Sequence, residues 1–304
     1  MYLVTGGFGF IGNELVRQLS QFGEVVILDN RNRVAERIED LAHIPCVEVD
    51  ITNSDQLQSA VRDIAPDIVF HLAAIHYIPE CNENPERTLR VNVEATQSLL
   101  SACARAQVGH FLLASSGAVY ADSINPLSET SRVDPVDIYG LSKLFAEQLA
   151  QRFSEQEGLN VTALRLFNNY GPRETNAHII PEIIHQLKQS NVLHLGNIKP
   201  RRDYIHTIDT AHALKRLADN PPERWRVVNV SSGVSASVED LIQIFSSHLN
   251  REILIQSDPL RFRRADKLVQ IADISLLKSI TNWEPQIDFQ QGIRDLLQFE
   301  GLLP

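Results

Sequence analysis

Apolar residues gather in short, evenly spaced runs along the first half of the chain. Tyr2–Thr5, Val25–Asp29, Val47–Val49, Asp67–Leu72, His110–Ser115 and Val161–Leu166 are each 3 to 6 residues long and apolar without alternation. That pattern predicts strands buried on both faces, as in a parallel sheet. Between them lie amphipathic segments. The clearest spans Asp137 to Glu157, where Leu141, Leu144, Phe145, Leu149 and Phe153 recur at helical spacing, and Gly158 follows as a stop. Repeated strand–helix–strand units close as right-handed crossovers, so the expected fold is α/β, a Rossmann-type doubly wound parallel sheet.

After residue 167 the rhythm loosens. Proline-containing loops separate shorter elements, and Ser237-Val-Glu-Asp240 opens a helical run over Leu241–Leu249 as a capping-box variant. The reading is a cofactor domain over 1–166, with segments near 203–232 and 266–280 returning to it, and a smaller α/β substrate portion over 167–304.

Composition narrows the partners. The chain has 304 residues, 43% hydrophobic and 22% charged, enough for a sizeable core. Its net charge of −10 argues against a nucleic-acid partner held through phosphates. Arg261, Arg263 and Arg264, with the pair Arg201 and Arg202, suit a small anionic ligand instead. Cys46, Cys81 and Cys103 are widely spaced and odd in number, which excludes a disulfide framework and fits a reducing compartment. Ten scattered histidines show no ligand spacing, so no metal is expected. No run approaches a membrane span, and the N-terminus enters a strand at once; the expectation is a cytoplasmic protein with no membrane partner.

Two motifs carry chemistry. In Thr5-Gly6-Gly7-Phe8-Gly9-Phe10-Ile11-Gly12 the glycines stand between the first strand and the first helix, where bare backbone and the N–H groups of a helix start receive a pyrophosphate. Alone, such a triplet is equally a tight packing turn. Asp29 closes the next strand near the expected offset, where an acid accepts hydrogen bonds from a ribose and repels a 2′-phosphate, favouring NAD over NADP. Arg31 and Arg33 nearby are either loop residues or partners for that phosphate. Tyr139 and Lys143 lie four apart on one helical face. A phenol becomes a base near neutral pH only beside a cation, and Lys143 supplies one. As an isolated pair they would read as a surface tyrosine beside a solvated lysine; their place about 130 residues after the glycine loop argues for the chemical role.

Taken with Ser115-Ser116-Gly117-Ala118-Val119-Tyr120, these segments resemble the extended short-chain dehydrogenase/reductases, in particular the NAD-dependent nucleotide-sugar epimerase/dehydratase family. Residues 5–12, Asp50-Ile51, His71-Leu72-Ala73-Ala74, Asn92-Val93 and Tyr139-Gly-Leu-Ser-Lys143 match its motifs in order. The resemblance implies catalytic Ser116, with Ser115 as the alternative serine, and catalytic Tyr139 and Lys143. It implies NAD held by Gly6, Gly9, Phe10, Ile11, Gly12, Asp29, Asn30, Asp50, Ile51, Leu72, Ala73, Ala74, Asn92, Tyr139 and Lys143. Leu164–Arg173, Arg202–His206 and Arg263–Asp266 resemble later family segments and imply a nucleotide diphosphate sugar, a UDP-hexose first, bound by Ser116, Asn168, His178, Arg202 and Arg263. His178 stands where UDP-galactose 4-epimerases carry an asparagine that touches the substrate. A homodimer through the helix after Asn92 (Val93, Leu99, Leu100, Cys103) and the helix of Tyr139 is likewise implied.

All family chemistries begin by oxidising the sugar. Dehydratases then use an Asp-Glu pair after the Ser/Thr, and decarboxylases a Glu at the second of these positions; here Gly117 and Ala118 stand there. That leaves 4-epimerisation, with hydride returned to the other face of the turned ketosugar, or net reduction of a 4-ketosugar. Asp29 favours the NAD-retaining 4-epimerase. The loop Leu195–Asp203 resembles some dehydratases, and Ile75-His76-Tyr77 and Asn169 depart from epimerases. A non-catalytic NAD-binding protein is opposed by the intact Ser116, Tyr139 and Lys143.

Overall fold

The computed structural model describes residues 1–30, 39–262 and 267–304. Its largest sheet has seven parallel strands: β1 (Tyr2–Thr5), β2 (Val25–Asp29), β3 (Cys46–Glu48), β4 (Ile68–His71), β5 (His110–Ser116), β6 (Val161–Leu166) and, from the second half, β10 (Trp225–Val230). Their order is β10-β6-β5-β4-β1-β2-β3. The chain runs outward from β1 to β3, then resumes at β4 on the other side of β1. The crevice between β1 and β4 is therefore the topological switch point, where open α/β sheets bind ligands.

Consecutive side chains explain the continuous apolar runs. Val4, Ile27, Phe70, Leu112, Leu164 and Val228 pack on one face with helices Phe10–Leu19 and Thr207–Ala218. Leu3, Leu28, Val69, Phe111 and Leu113 pack on the other, beneath helices Ser54–Ile64, Ala95–Arg105 and Ile138–Glu157. Asp137 caps the last of these by accepting Gly140 N–H (2.8 Å), and Gly158 ends it at φ +76°.

The smaller portion has its own core around Ile183, Leu193, Leu241, Phe245 and Ile293. β7 (Asn168–Tyr170), β9 (Arg201–His206), β11 (Ser235–Ser237) and β13 (Val269–Gln270) form a four-stranded sheet centred on β9; β8 (Val192–Leu195) pairs with β12 (Leu254–Ser257). Ser237 and Asp240 form the capping box reciprocally, and the helix opens at Val238 rather than Leu241. Buried Asp203 on β9 receives the N–H groups of Ser232, Gly233 and Ala272 (3.0–3.1 Å), joining three segments distant in sequence. Among the described residues no helix is long and apolar enough to cross a membrane.

Helix Phe10–Leu19 begins hard against the glycine loop: a Cβ on Gly12 would lie 2.2 Å from the Gly6 carbonyl oxygen. Gly12→Ala should therefore cost about 1–3 kcal/mol, read as a lower urea midpoint. An unchanged midpoint would show that the loop yields freely.

Candidate active site

The loops after β1 and β4 meet at the switch point. Gly6 has φ +72°, and a Cβ there would stand 2.8 Å from Ala73 N, so the glycine loop and Leu72-Ala73-Ala74 lie backbone to backbone. Gly9 and Gly12 leave the helix start bare on the same side, and Phe10 and Ile11 open the helix. Asp29 ends β2 with its carboxylate against this loop, accepting Phe8 N–H (3.2 Å); Asn30 beside it is exposed. A helix N-terminus, a side-chain-free cradle and a strand-end acid at the switch point fit a dinucleotide.

Of the expected cofactor residues, Asn92 and Ile51 face inward, whereas Asp50 is exposed. Asn92 lies in a π-helical turn, Arg90–Glu94. Its Oδ1 accepts Ile75 N–H (2.9 Å), while Nδ2 donates to Ile75 O (2.8 Å) and Ser142 Oγ (3.0 Å). Its amide is thus engaged by protein, and it acts on the cleft by shaping the 73–75 loop. Asp50 accepts Thr52 N–H and O–H (2.9 and 2.8 Å), which orders the turn before helix Ser54–Ile64, and Ile51 is buried beneath it.

Ser116 ends β5, next to the switch strands, and Tyr139 and Lys143 reach it from the first turns of helix Ile138–Glu157. The Ser116 and Tyr139 hydroxyls are hydrogen-bond partners, though burial still pushes the phenol up to about 12. Ser116 Oγ also accepts Ala118 N–H (3.1 Å). Lys143 Nζ donates to Ala114 O (2.9 Å) and stands 5.9 Å from the Tyr139 ring centre. Burial pulls Lys143 down to about 8, with Cys81 and Glu147 opposing the shift. Both groups are biased toward their neutral forms, so their charges respond strongly to whatever occupies the cleft.

Behind them is a pair that sequence reading missed. Glu147 accepts from Arg165 Nε (3.0 Å) and Nη2 (2.7 Å) and from the Ser115 hydroxyl. All three are buried. The signal was available in part: Glu147 lies one turn beyond Lys143, and Arg165 sits inside an otherwise apolar strand. Ser115 faces this pair, which leaves Ser116 to Tyr139.

The substrate-side residues assemble unevenly. Asn168 leads from the large sheet into β7, and its buried Nδ2 has no hydrogen-bond partner among the described residues, the state expected of a donor that serves a ligand. His178 precedes helix Ile179–Leu187 and pairs through Nδ1 with Glu174 (2.6 Å), its ring 6.1 Å from that of His76 and 6.0 Å from that of Tyr77. Asn176 Nδ2 meets His76 Nε2 at 2.8 Å, so the 75–77 and 174–178 loops close over one mouth. Asn169 points inward, donating to Phe167 O (3.1 Å) and accepting from Thr210. Arg202 donates to the carbonyls of Arg201 (2.9 Å) and Lys267 (2.7 Å), and part of its guanidinium braces backbone. Arg263, Arg31 and Arg33 lie outside the described residues.

Residues 2–231 match the family model described as NAD dependent epimerase/dehydratase family. The GDP-6-deoxy-D-mannose reductase of Pseudomonas aeruginosa is 32% identical, over 97% of this chain and 95% of that protein. The UDP-glucuronate 4-epimerase of Thermodesulfobacterium geofontis is 28% identical over 96% and 94%. Among solved structures, the UDP-glucose 4-epimerase of Thermus thermophilus in complex with NAD superposes with a TM-score of 0.88 at 26% identity, covering 99% of this chain and 98% of that one.

Lys143 titrates near 8 in the fold against an ordinary 10.5, so across that interval the unfolded chain holds more protons and stability rises with pH. Lys143→Met should be favoured relative to the parent below pH 8 and lose that advantage by pH 10.5, a swing of roughly 3 kcal/mol. Parallel stability curves across that range would show that burial does not depress this lysine.

Proposed function

Because the chain belongs to the NAD dependent epimerase/dehydratase family, we propose that it is a nucleotide-sugar 4-epimerase. The observation that carries this choice is the wall beside Ser116. Dehydration needs a further acid and base, yet Gly117 and Ala118 offer none, and a Cβ on Gly117 would already meet Gln270 Nε2 at 3.1 Å and the Phe167 ring at 3.2 Å. Without carboxylates there, the site supports oxidation and reduction at one carbon. NAD, when bound, supplies the acceptor that takes hydride from the sugar carbon and returns it. Tyr139 removes the hydroxyl proton and later gives it back, Ser116 holds the same oxygen, and Lys143 stabilises the phenolate. Asn168 contacts the diphosphate, Arg202 reaches the nucleotide end, and Arg263 takes a phosphate through the paired fork geometry that arginine brings.

A second reading has its own support. The same three residues run forward as a 4-ketosugar reductase, and the 32% relative is a GDP-6-deoxy-D-mannose reductase. The two are separated by supply of electrons. Purified protein should retain NAD and equilibrate a UDP-hexose with its 4-epimer without added reductant, and Tyr139→Phe should lower turnover at least 10³-fold while leaving NAD bound. Turnover only of a 4-ketosugar with added NADPH would replace the epimerase by the reductase.

The same reading includes a homodimer. Leu99, Leu100 and Cys103, expected in that interface, are fully buried against the sheet, so the outward face is made by Val93, Phe145 and Leu149 with Gln148 and Arg152 around them. Phe145 is 39% exposed there. Native mass spectrometry should show Phe145→Glu shifting a dimer to monomer; a parent protein that is monomeric at micromolar concentration would remove this element of the proposal.

A further inference from the structure

The hydrogen bonds behind the glycine loop form one chain whose direction can be worked out. Thr96 Oγ1 donates to the carbonyl of Asn92 (2.8 Å). A hydroxyl has one hydrogen, so the contact of Thr96 Oγ1 with His71 Nε2 at 2.8 Å requires the proton to sit on Nε2. Burial holds His71 far below the usual histidine range, at about 3, and Lys143 adds to the effect; the ring therefore carries a single N–H. Nδ1 is bare and accepts from Thr5 Oγ1 (2.7 Å), which in turn receives Ala73 N–H (3.3 Å).

Both ends of this chain are at the cleft. Thr5 is the first residue of the glycine loop, and Ala73 lies in the loop pressed against Gly6. At the other end Asn92 clamps both backbone groups of Ile75 and reaches Ser142, whose hydroxyl donates to the carbonyl of Tyr139 (2.7 Å). We infer that His71, with its proton on Nε2, is a positioning residue that ties the glycine loop and the 72–75 loop to the helices of Asn92 and Tyr139. An imidazole suits this place because it sets an acceptor and a donor at opposite ends of a rigid ring. Phenylalanine would leave two buried hydroxyls without that partner, and an amide carries both functions at one end.

This inference rests on the reading of residues 5–12 and 72–74 as the loops that hold NAD, and its tests separate the two. Histidine-selective ¹⁵N labelling of the cofactor-free protein reads the tautomer directly. The signal lost in His71→Gln should show a protonated Nε2 and a bare Nδ1 throughout about pH 6–8. Calorimetric NAD binding gives the second readout. Thr96→Val keeps the shape and removes the acceptor, so affinity should fall about tenfold, whereas Thr96→Ser should stay within about twofold of the parent. A proton on Nδ1 or a cationic ring overturns the inference, as does a folded Thr96→Val protein that binds NAD as tightly as the parent. If Thr96→Val does not fold, the tautomer in the parent decides. A parent that binds no NAD overturns the functional reading instead, and the tautomer still decides the state of His71.

Discussion

Burying polar groups at the end of a sheet that is dry on both faces is the constraint on which this molecule is organised. Desolvation penalises every charge placed there, and each group meets the penalty differently. Glu147 and Arg165 pair, with Ser115 satisfying a further lone pair. His71 stays neutral between two threonines. Lys143 and Tyr139 have no neutralising ion pair among the described residues, and burial brings the lysine down to about 8 and the phenol up to about 12. Unpaired titratable groups in a cleft, backed by paired ones in the core, are what distinguish a site from a scaffold.

The scaffold is shared between the two halves of the chain. β10 extends the large sheet beside β6, and Ile274, Leu277 and Trp283 join the core on the same face as helix Phe10–Leu19. Asp203 joins two distant segments, 232–233 and Ala272, to β9 at one carboxylate. Lys267 and Gln270 reach from the late segment to the carbonyls of Tyr120 and Gly117, directly beside Ser116. The late segment around Lys267 and Gln270 is thus anchored to the strand end that carries the serine.

Much of this was readable from spacing. Strands buried on both faces need apolar residues at every position, so the six runs in the first half appear in the fold with boundaries shifted by at most one residue. The long helix begins after Asp137 and ends before Gly158 because cap chemistry is local. The segment near 203–232 was expected to return to the cofactor domain, but no strand was named within it: Trp225-Arg-Val-Val-Asn-Val230 mixes polar with apolar residues, since Asn229 is buried on the Tyr120 hydroxyl (2.6 Å) and Arg226 reaches the Asn220 carbonyl. Polar residues satisfied by distant partners look like loop in the sequence.

By itself, the sequence determined the α/β layering, the glycine loop, the strand-end acid and the placing of Tyr139 and Lys143 on one helical face, because each depends on periodicity or on neighbours within a few residues. Only the tertiary structure decided which of two adjacent serines faces the cleft, that the Asn92 amide is turned inward to Ile75 and Ser142, that Leu99, Leu100 and Cys103 belong to the core, and that His71 joins two loops to two helices. Those outcomes depend on desolvation and on hydrogen-bond partners brought together from opposite ends of the chain, and no local pattern encodes a partner 66 residues away.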